Sequence, residues 1–234
     1  MLRKLLTLLL CIALMSIVEA RAMETLTDRQ KSMAAIAAFT ARGDMQRLDG
    51  ALNQGLDAGL TINEIKEILV QLYAYTGFPR SLNAIGAFMK VLDARKAKGV
   101  VDPVGKEPSP MPKDRSSLEF GTENQTKLAG RSVKGPLYDF APAIDQFLKA
   151  HLFGDIFQRD NIDWQSREIA TIAALASIEG VDAQLQAHFN IGMNTGLTPD
   201  QLKGIVAMVK ERVGTALGAN AESVLQKTLA SRKQ

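Results

Sequence analysis

One segment of this 234-residue sequence occurs twice, about 137 residues apart. Residues 47–61 read RLDGALNQGLDAGLT, and residues 184–198 read QLQAHFNIGMNTGLT. With a one-residue adjustment of the alignment, MAAIAAFTARGD at 33–44 also matches REIATIAALASIEG at 167–180. The repeated unit is about 70 residues long and occurs twice. The sequence therefore predicts two copies of one unit packed together.

Both copies have the sequence pattern of α-helices. Apolar residues recur at spacings of three and four, and the alanine-rich stretches favour helix. Each copy then reaches Gly-Leu-Thr, where the glycine is typical of a helix C-terminus and Thr61 or Thr198 of the next N-cap. Glu64 completes a capping box with Thr61, and Pro199 suits a first helical position. Because no stretch alternates as a strand would, we predict an all-α fold made of two tandem helical bundle units.

The first 22 residues have the composition of a secretory leader. Arg3 and Lys4 precede an apolar run over residues 5–18, and Ala20 and Ala22 supply the small residues that signal peptidase requires. We expect cleavage after Ala22 and export to the periplasm. The alternative is an uncleaved anchor, although the run is shorter than the roughly 20 residues that span a bilayer. After cleavage we expect no stable membrane span.

The composition of the mature chain excludes several kinds of chemistry. The single cysteine, Cys11, lies in the leader, so disulfides, thiol nucleophiles and thiolate metal sites are excluded. The net charge of +3 falls to +1 without the leader, which gives no support to nucleic-acid binding. Only His151 and His188 are available as imidazole ligands, and no glycine-rich phosphate loop occurs. We therefore expect neither a metal ion nor another cofactor.

The chain after the leader divides into three parts. Residues 23–98 form the first unit and residues 122–234 the second. Between them, residues 99–121 contain four of the eight prolines and are typical of an extended, polar connector. Within the second part, residues 137–159 are predicted to be helical, with an apolar face made of Ile144, Phe147, Leu148 and Phe153.

The second copy carries the candidate acid–base residues. His188 stands where the first copy has Ala51, and Glu168 lies on the preceding predicted helix. Histidine titrates near neutral pH and is the side chain most often used for proton transfer. The alternative interpretations are a hydrogen-bonded core histidine and a carboxylate that favours a helix N-terminus.

The first copy carries a different set of polar residues, in EIKEILVQLYAYTGFPRSLNAIGAF at 64–88. Glu67 is on a predicted helix that Tyr75 closes, and Arg80 and Asn83 open the next helix. Backbone N–H groups and a guanidinium at that corner are suited to hold a carboxylate. The alternative is a solvated helix corner. Because each copy has what the other lacks, we predict one composite pocket where the two units pack.

Two stretches of the sequence resemble the carboxymuconolactone decarboxylase family. Residues 153–198 resemble the family's opening half, and residues 64–88 its second half. The second match includes the pattern Tyr-x-Gly-x-Pro-x-x-x-Asn-Ala, at Tyr75, Gly77, Pro79, Asn83 and Ala84. The resemblance implies an all-helical, alkylhydroperoxidase D-like fold with pockets at unit interfaces. Since single units of the family assemble as trimers or hexamers, it implies a homotrimer for a two-unit chain.

The resemblance also implies an activity, the decarboxylation of a small carboxylated lactone without a cofactor. Loss of carbon dioxide leaves electron density that must be delocalised and then quenched by a proton. We assign His188 as the acid that delivers the proton and Glu168 as the group that orients His188 or returns a proton to it. The implied substrate-binding residues are Arg80, which would hold a carboxylate, together with Glu67, Tyr75 and Asn83.

Two features limit this assignment. The alkylhydroperoxidase D branch uses a Cys-x-x-Cys pair, but Val181 and Gln184 occupy those positions here, so thiol peroxidase chemistry is excluded. The leader conflicts with the intracellular pathway of the classical decarboxylase. Another small carboxylated or lactone compound, acted on by decarboxylation, isomerisation or hydrolysis, therefore stays open as the substrate. The alternative from a different class is a non-catalytic binding or scaffold protein on the same fold.

Overall fold

The computed structural model describes residues 26–232, so the leader expected at residues 1–22 lies outside the described residues. The described part is helical and contains no strand, which confirms the all-α prediction. Its α-helices are α1 (Asp28–Arg42), α2 (Met45–Asp57), α3 (Ile62–Thr76), α4 (Phe78–Ala97), α5 (Ser117–Ala129), α6 (Pro136–Phe140), α7 (Pro142–Phe147), α8 (Trp164–Leu175), α9 (Asp182–Asn194), α10 (Pro199–Arg212) and α11 (Thr215–Ser231). A π-helical segment, Leu148–Ile156, follows α7. None of the helices between residues 26 and 232 has the length and apolarity needed to cross a bilayer.

The repeated Gly-Leu-Thr sequences form equivalent turns. Gly59 and Gly196 have φ values of 87° and 98°, a left-handed conformation that favours glycine, so α2 and α9 end just before them. Thr61 then caps α3 and Thr198 caps α10, each in a complete capping box. The two copies of the repeat therefore place their helices in the same order, α1–α4 in the first unit and α8–α11 in the second.

The two units share one hydrophobic core. Helices α1 and α8 pack against each other at its centre, where their alanines are fully buried. In addition, α3 of the first unit packs on α8, and α10 of the second packs on α1. Gly55 of α2 and Gly192 of α9 make equivalent close contacts in the two units. A Cβ at Gly55 would lie 2.9 Å from the Cδ1 atom of Ile36, and a Cβ at Gly192 would lie 2.9 Å from the Cδ1 atom of Ile172. Each unit thus completes the burial of the other.

The connector is extended but attached to the first unit. The carbonyl oxygens of Pro103 and Val104 accept hydrogen bonds of 2.9 Å from the backbone N–H groups of Ile62 and Asn63, at the start of α3. These contacts satisfy donors that a helix N-terminus leaves free. Helix α5 begins at Ser117, within the range assigned to the connector, because a capping box at Ser116 starts the helix there.

The segment from α5 to the π-helix forms a second layer beside α9. Helix α5 and the π-helical segment approach each other closely at two glycines, Gly121 in α5 and Gly154 in the π-helical segment. A Cβ on either glycine would collide with a backbone carbonyl of the other element. The helix predicted over 137–159 is divided among α6, α7 and the π-helical segment. Of its apolar face, Phe153 is buried, whereas Ile144 and Phe147 remain exposed.

Candidate functional site

A buried histidine–carboxylate pair joins α8 and α9. The Nδ1 atom of His188 lies 2.8 Å from Oε2 of Glu168. Glu168 has no exposed surface and His188 is 7 % exposed. With Glu168 ionised, Nδ1–H donates to the carboxylate, so the hydrogen bond fixes which nitrogen carries the proton. Glu168 Oε1 is also buried and has no partner among residues 26–232.

Tyr75 at the end of α3 brings the first unit into the same site. Its ring meets the His188 ring edge-on, with centroids 5.4 Å apart and planes at 80°. The Tyr75 hydroxyl is buried beside Thr171, outside hydrogen-bonding geometry, and has no partner in the described part of the chain. Burial, reinforced by the negative charge of Glu168, raises the pKa of Tyr75 above its ordinary value of 10. The phenol therefore stays protonated.

A cavity of about 670 Å³ lies in front of His188 and Tyr75. This volume suits a small organic ligand. Its apolar wall comes from the π-helical segment and α9, through Leu148, Leu152, Phe153 and Ile191. Its remaining polar lining consists of Gln125, Arg131, Tyr138, Gln184, Asn190, Asn194, Ser231 and Arg232. The cavity thus combines an apolar body with amides, hydroxyls and cations, and an imidazole at its buried end.

A network of buried charges supports the site where α3 packs on α8. Glu67 is 2 % exposed, accepts a hydrogen bond of 2.8 Å from Arg167, and is also held by Arg159 and Asn161. Burial works against ionisation of Glu67, but the hydrogen bond of Arg159 and the charge of Arg167 outweigh it, so the pKa of Glu67 lies below its ordinary 4.5. Gln71 bonds both the side chain and the backbone oxygen of Arg167. The network fixes the residue that precedes Glu168.

Burial also affects the arginine in this network. Arg167 has no exposed surface, and burial lowers its pKa, although the neighbouring charge of Glu67 counteracts the effect. An isolated buried guanidinium would be very unfavourable, which is why its carboxylate partner lies within hydrogen-bonding distance.

The structure brings together only some of the residues that the sequence singled out. His188, Glu168 and Tyr75 meet at the cavity, and Glu67 lies in the charge network behind it. Arg80 and Asn83 are exposed on α4 and do not line the cavity. The Nε atom of Arg80 instead lies near Gly43 at the end of α1, 4.0 Å from where a Cβ on that glycine would be.

The turn at Gly77 explains where Arg80 lies. Gly77 has φ 79° and ψ 156°, and with Pro79 it starts α4 immediately after α3 ends. The new helix continues along α2 and α3, so its first turn leads away from the cavity that Tyr75 faces. The expected carboxylate site at this corner is therefore not part of the cavity.

Sequence reasoning missed the cations of the cavity. Arg131 follows the C-cap of α5, and Arg232 is the C-cap of α11. Neither belongs to the repeat or to a recognisable motif, so the only available signal was the basic character of those two turns. Within residues 26–232, no group of three or more histidine, cysteine or acidic residues has the arrangement of a metal site.

Comparison with known proteins agrees with this arrangement of two units. A sequence model of the carboxymuconolactone decarboxylase family matches residues 13–90 and again residues 142–227, together more than half of the chain. A 4-carboxymuconolactone decarboxylase of Acinetobacter baylyi is 28 % identical over 98 residues, which cover 40 % of this chain and 72 % of that protein. Within the described residues, the two family matches fall on the two structural units, which confirms the resemblance and the tandem repeat. This chain belongs to the carboxymuconolactone decarboxylase family.

Proposed function

We propose that the protein is a cofactor-independent lyase that removes carbon dioxide from a small carboxylated lactone or a related carboxylic acid. The observation that carries the proposal is the hydrogen bond between His188 and the buried Glu168 at the inner end of the cavity. Membership of the family and the similarity to a 4-carboxymuconolactone decarboxylase support the choice of reaction.

The pair is suited to deliver a proton. Because Nδ1 of His188 bonds Glu168, Nε2 is the ring nitrogen left for a ligand, and no group of residues 26–232 hydrogen-bonds it. The Glu168 carboxylate holds the ring in one orientation and stabilises the imidazolium form. A substrate carbon within reach of Nε2 would then receive its proton directly.

The proposed reaction has two steps, loss of carbon dioxide and protonation of the carbon that is left behind. The bond between the lactone carbon and the departing carboxylate breaks, and its electron pair delocalises into the conjugated lactone as carbon dioxide leaves. The imidazolium Nε2–H of His188 then protonates the carbon, which leaves a neutral imidazole. A proton from solvent restores the imidazolium for the next turnover. The apolar wall favours this step, since it is less polar than water and disfavours the charged carboxylate relative to carbon dioxide.

A non-catalytic binding protein on the same fold is the alternative. It would use the same cavity but would not require a hydrogen-bonded imidazole–carboxylate pair at its end. The two functions differ in one measurable respect, because a binding protein returns its ligand unchanged.

The test is turnover by the purified protein. We would incubate it with 4-carboxymuconolactone and with a panel of small carboxylated lactones, and follow evolved carbon dioxide and the matching loss of mass. His188→Ala should lower turnover by roughly 10²–10⁴-fold, the usual contribution of one acid–base group. Glu168→Gln should lower it as well and should alter its pH dependence.

His151→Ala is the matched control, since His151 is the other histidine, is exposed and pairs with Asp155 instead of Glu168. That variant should keep wild-type turnover. Retention of an unchanged ligand by the wild-type protein would favour the binding function. An active His188→Ala variant with the wild-type pH profile would remove the imidazole from the mechanism.

A further inference from the structure

Two arginines line the cavity that ends at His188, and neither pairs with an acidic residue in the described part of the chain. Arg131 lies just after α5 and Arg232 just after α11, on two separate elements. Both are exposed, whereas His188 is buried, so the guanidiniums lie at the open end of the cavity and the imidazole at the closed end. In contrast, Arg95, Arg159 and Arg167 each form an ion pair with a carboxylate.

The position of Arg232 is fixed without neutralisation of its charge. Its guanidinium donates hydrogen bonds to the backbone oxygen of Asn190 at 3.2 Å and to the side-chain oxygen of Asn194 at 3.2 Å. Both acceptors are uncharged, so the positive charge stays available to a ligand. These contacts orient the guanidinium from α9, the helix that also carries His188.

The described lining of the cavity around the two arginines contains no negatively charged side chain. No aspartate or glutamate belongs to the described lining of the cavity, and Glu168 lies behind His188, where it is hydrogen-bonded to the ring. Two cations at a partly enclosed opening, with no competing carboxylate, favour an anionic ligand. Guanidinium groups recognise carboxylates by planar, charge-assisted hydrogen bonds, which are stronger than those between neutral groups.

We propose that Arg131 and Arg232 bind a carboxylate of the ligand at the open end of the cavity and so direct its other end towards His188. The ligand class, a small carboxylated lactone or organic acid, rests on the proposed function. The body of the ligand would lie along the apolar wall formed by Leu148, Leu152 and Phe153.

The two arginines also constrain which carboxylate of the substrate can leave. Hydrogen bonds from guanidinium groups stabilise a carboxylate more than they stabilise the neutral carbon dioxide that it would become. A carboxylate held by both arginines is therefore the one retained in the product, because holding the departing group would raise the barrier. The departing carboxylate must be a second one, nearer to His188. The substrate thus carries two carboxylates.

Binding of an unreactive probe tests the two arginines separately from turnover. We would use γ-butyrolactone-γ-acetate and its uncharged methyl ester, because this carboxylate is not bonded to the lactone carbon that would lose carbon dioxide. A saturated lactone also cannot delocalise the electron pair and is not consumed. Affinities would be measured by isothermal titration calorimetry at low ionic strength, where screening is weakest. The wild-type protein should bind the acid about tenfold more tightly than the ester, a difference typical of charge-assisted hydrogen bonds.

The double variant Arg131→Gln/Arg232→Gln should lose this preference and bind the acid and the ester about equally. The corresponding Arg131→Lys/Arg232→Lys protein, which keeps the charge but not the planar donors, should retain part of it. Arg42→Gln is the matched control, since Arg42 is exposed, has no described ion pair and does not line the cavity. It should keep the full preference, and circular dichroism would verify that all variants fold.

The proposal is overturned if the double glutamine variant keeps the preference for the acid, or if the wild-type protein shows none. It is also overturned if Arg80→Gln, at the corner favoured by the sequence, abolishes the preference. A protein that prefers the acid through Arg131 and Arg232 but releases no carbon dioxide would contradict the lyase function and leave this inference intact.

Discussion

Glu67→Gln separates a structural role of Glu67 from a role in ligand binding. The family resemblance implies that this side chain binds the substrate, whereas the structure places it in the buried network between α3 and α8. Glutamine has nearly the same size, so the substitution removes the negative charge with little change in packing. Its effect therefore reports on the charge itself.

The expected loss of stability follows from the partners of Glu67. Arg167 has no exposed surface and would lose the carboxylate that lies 2.8 Å away. Removing one partner of a buried ion pair costs about 3–5 kcal/mol, because the other charge is left uncompensated. Arg167 keeps hydrogen bonds to Gln71 and to the backbone oxygen of Arg159. These remaining contacts place the expected loss in the free energy of unfolding near the lower end, at about 3 kcal/mol.

Urea unfolding followed by circular dichroism at neutral pH is the assay. The matched control is Glu123→Gln, since Glu123 also pairs with two cations, Arg115 and Lys127, but on the surface. Exposed ion pairs contribute little to stability, so this variant should unfold close to the wild-type midpoint. Ligand affinity, measured on the same samples below the unfolding transition, should change little for either variant.

The pH dependence provides a second measurement of the same network. The pKa of Glu67 is lower in the folded protein than its ordinary 4.5, so the unfolded chain binds its proton first as the pH falls. The contribution of Glu67 is therefore complete above about pH 4.5 and is lost as the pH falls through the folded-state pKa. The difference between wild type and Glu67→Gln should be constant near neutrality and shrink in acid.

Two results would refute this reasoning. Equal losses of stability in Glu67→Gln and Glu123→Gln would show that the buried pair is no more important than a surface pair. A Glu67→Gln protein with wild-type stability but weakened ligand binding would show that the carboxylate contacts the ligand.

Three further predictions concern packing, the site and assembly. Gly154→Ala should destabilise the fold by at least about 2 kcal/mol, because its Cβ would collide with the carbonyl oxygen of Ser117. Gly86→Ala has open space around it and should stabilise α4 by about 0.5–1 kcal/mol. Thermal unfolding that ranks the two variants in the opposite order would contradict this packing. Tyr75→Phe should raise the free energy of unfolding by about 1 kcal/mol, because it removes a buried hydroxyl without a described partner. If urea unfolding instead shows that the variant is less stable than the wild type, the hydroxyl has a partner in solution. We propose that the exposed apolar side chains of α4, such as Leu82, form the contacts of a homotrimer. Leu82→Glu should then convert trimers to single chains, as measured by light scattering, and a monomeric wild-type protein would disprove the proposal.

Much of the fold could be predicted from local patterns. Thr61 and Thr198 cap the helices that the repeated Gly-Leu-Thr sequences indicated, since capping depends on residues within one turn of each other. The family resemblance paired His188 with Glu168, and the structure places their side chains within hydrogen-bonding distance on consecutive helices. Tyr75 was identified through the family pattern and reaches the same site.

Other residues of the site could not be predicted in this way. Arg80 was expected at the pocket, but its direction depends on how α4 packs after the turn at Gly77, which a local pattern does not determine. Arg131 and Arg232 are about 100 residues apart in sequence and line one cavity only because α5 and α11 both pack beside α9. The partner of Arg167 is likewise about 100 residues away, at Glu67.

The sequence by itself therefore determined the helices, their caps and the repeat, because these depend on residues close together along the chain. Only the tertiary structure decided which face of each unit meets the other, where the cations lie and which polar residues surround the cavity. Those features depend on contacts between distant segments, and such contacts are selected by the burial of a shared core and by pairing of the charges enclosed within it.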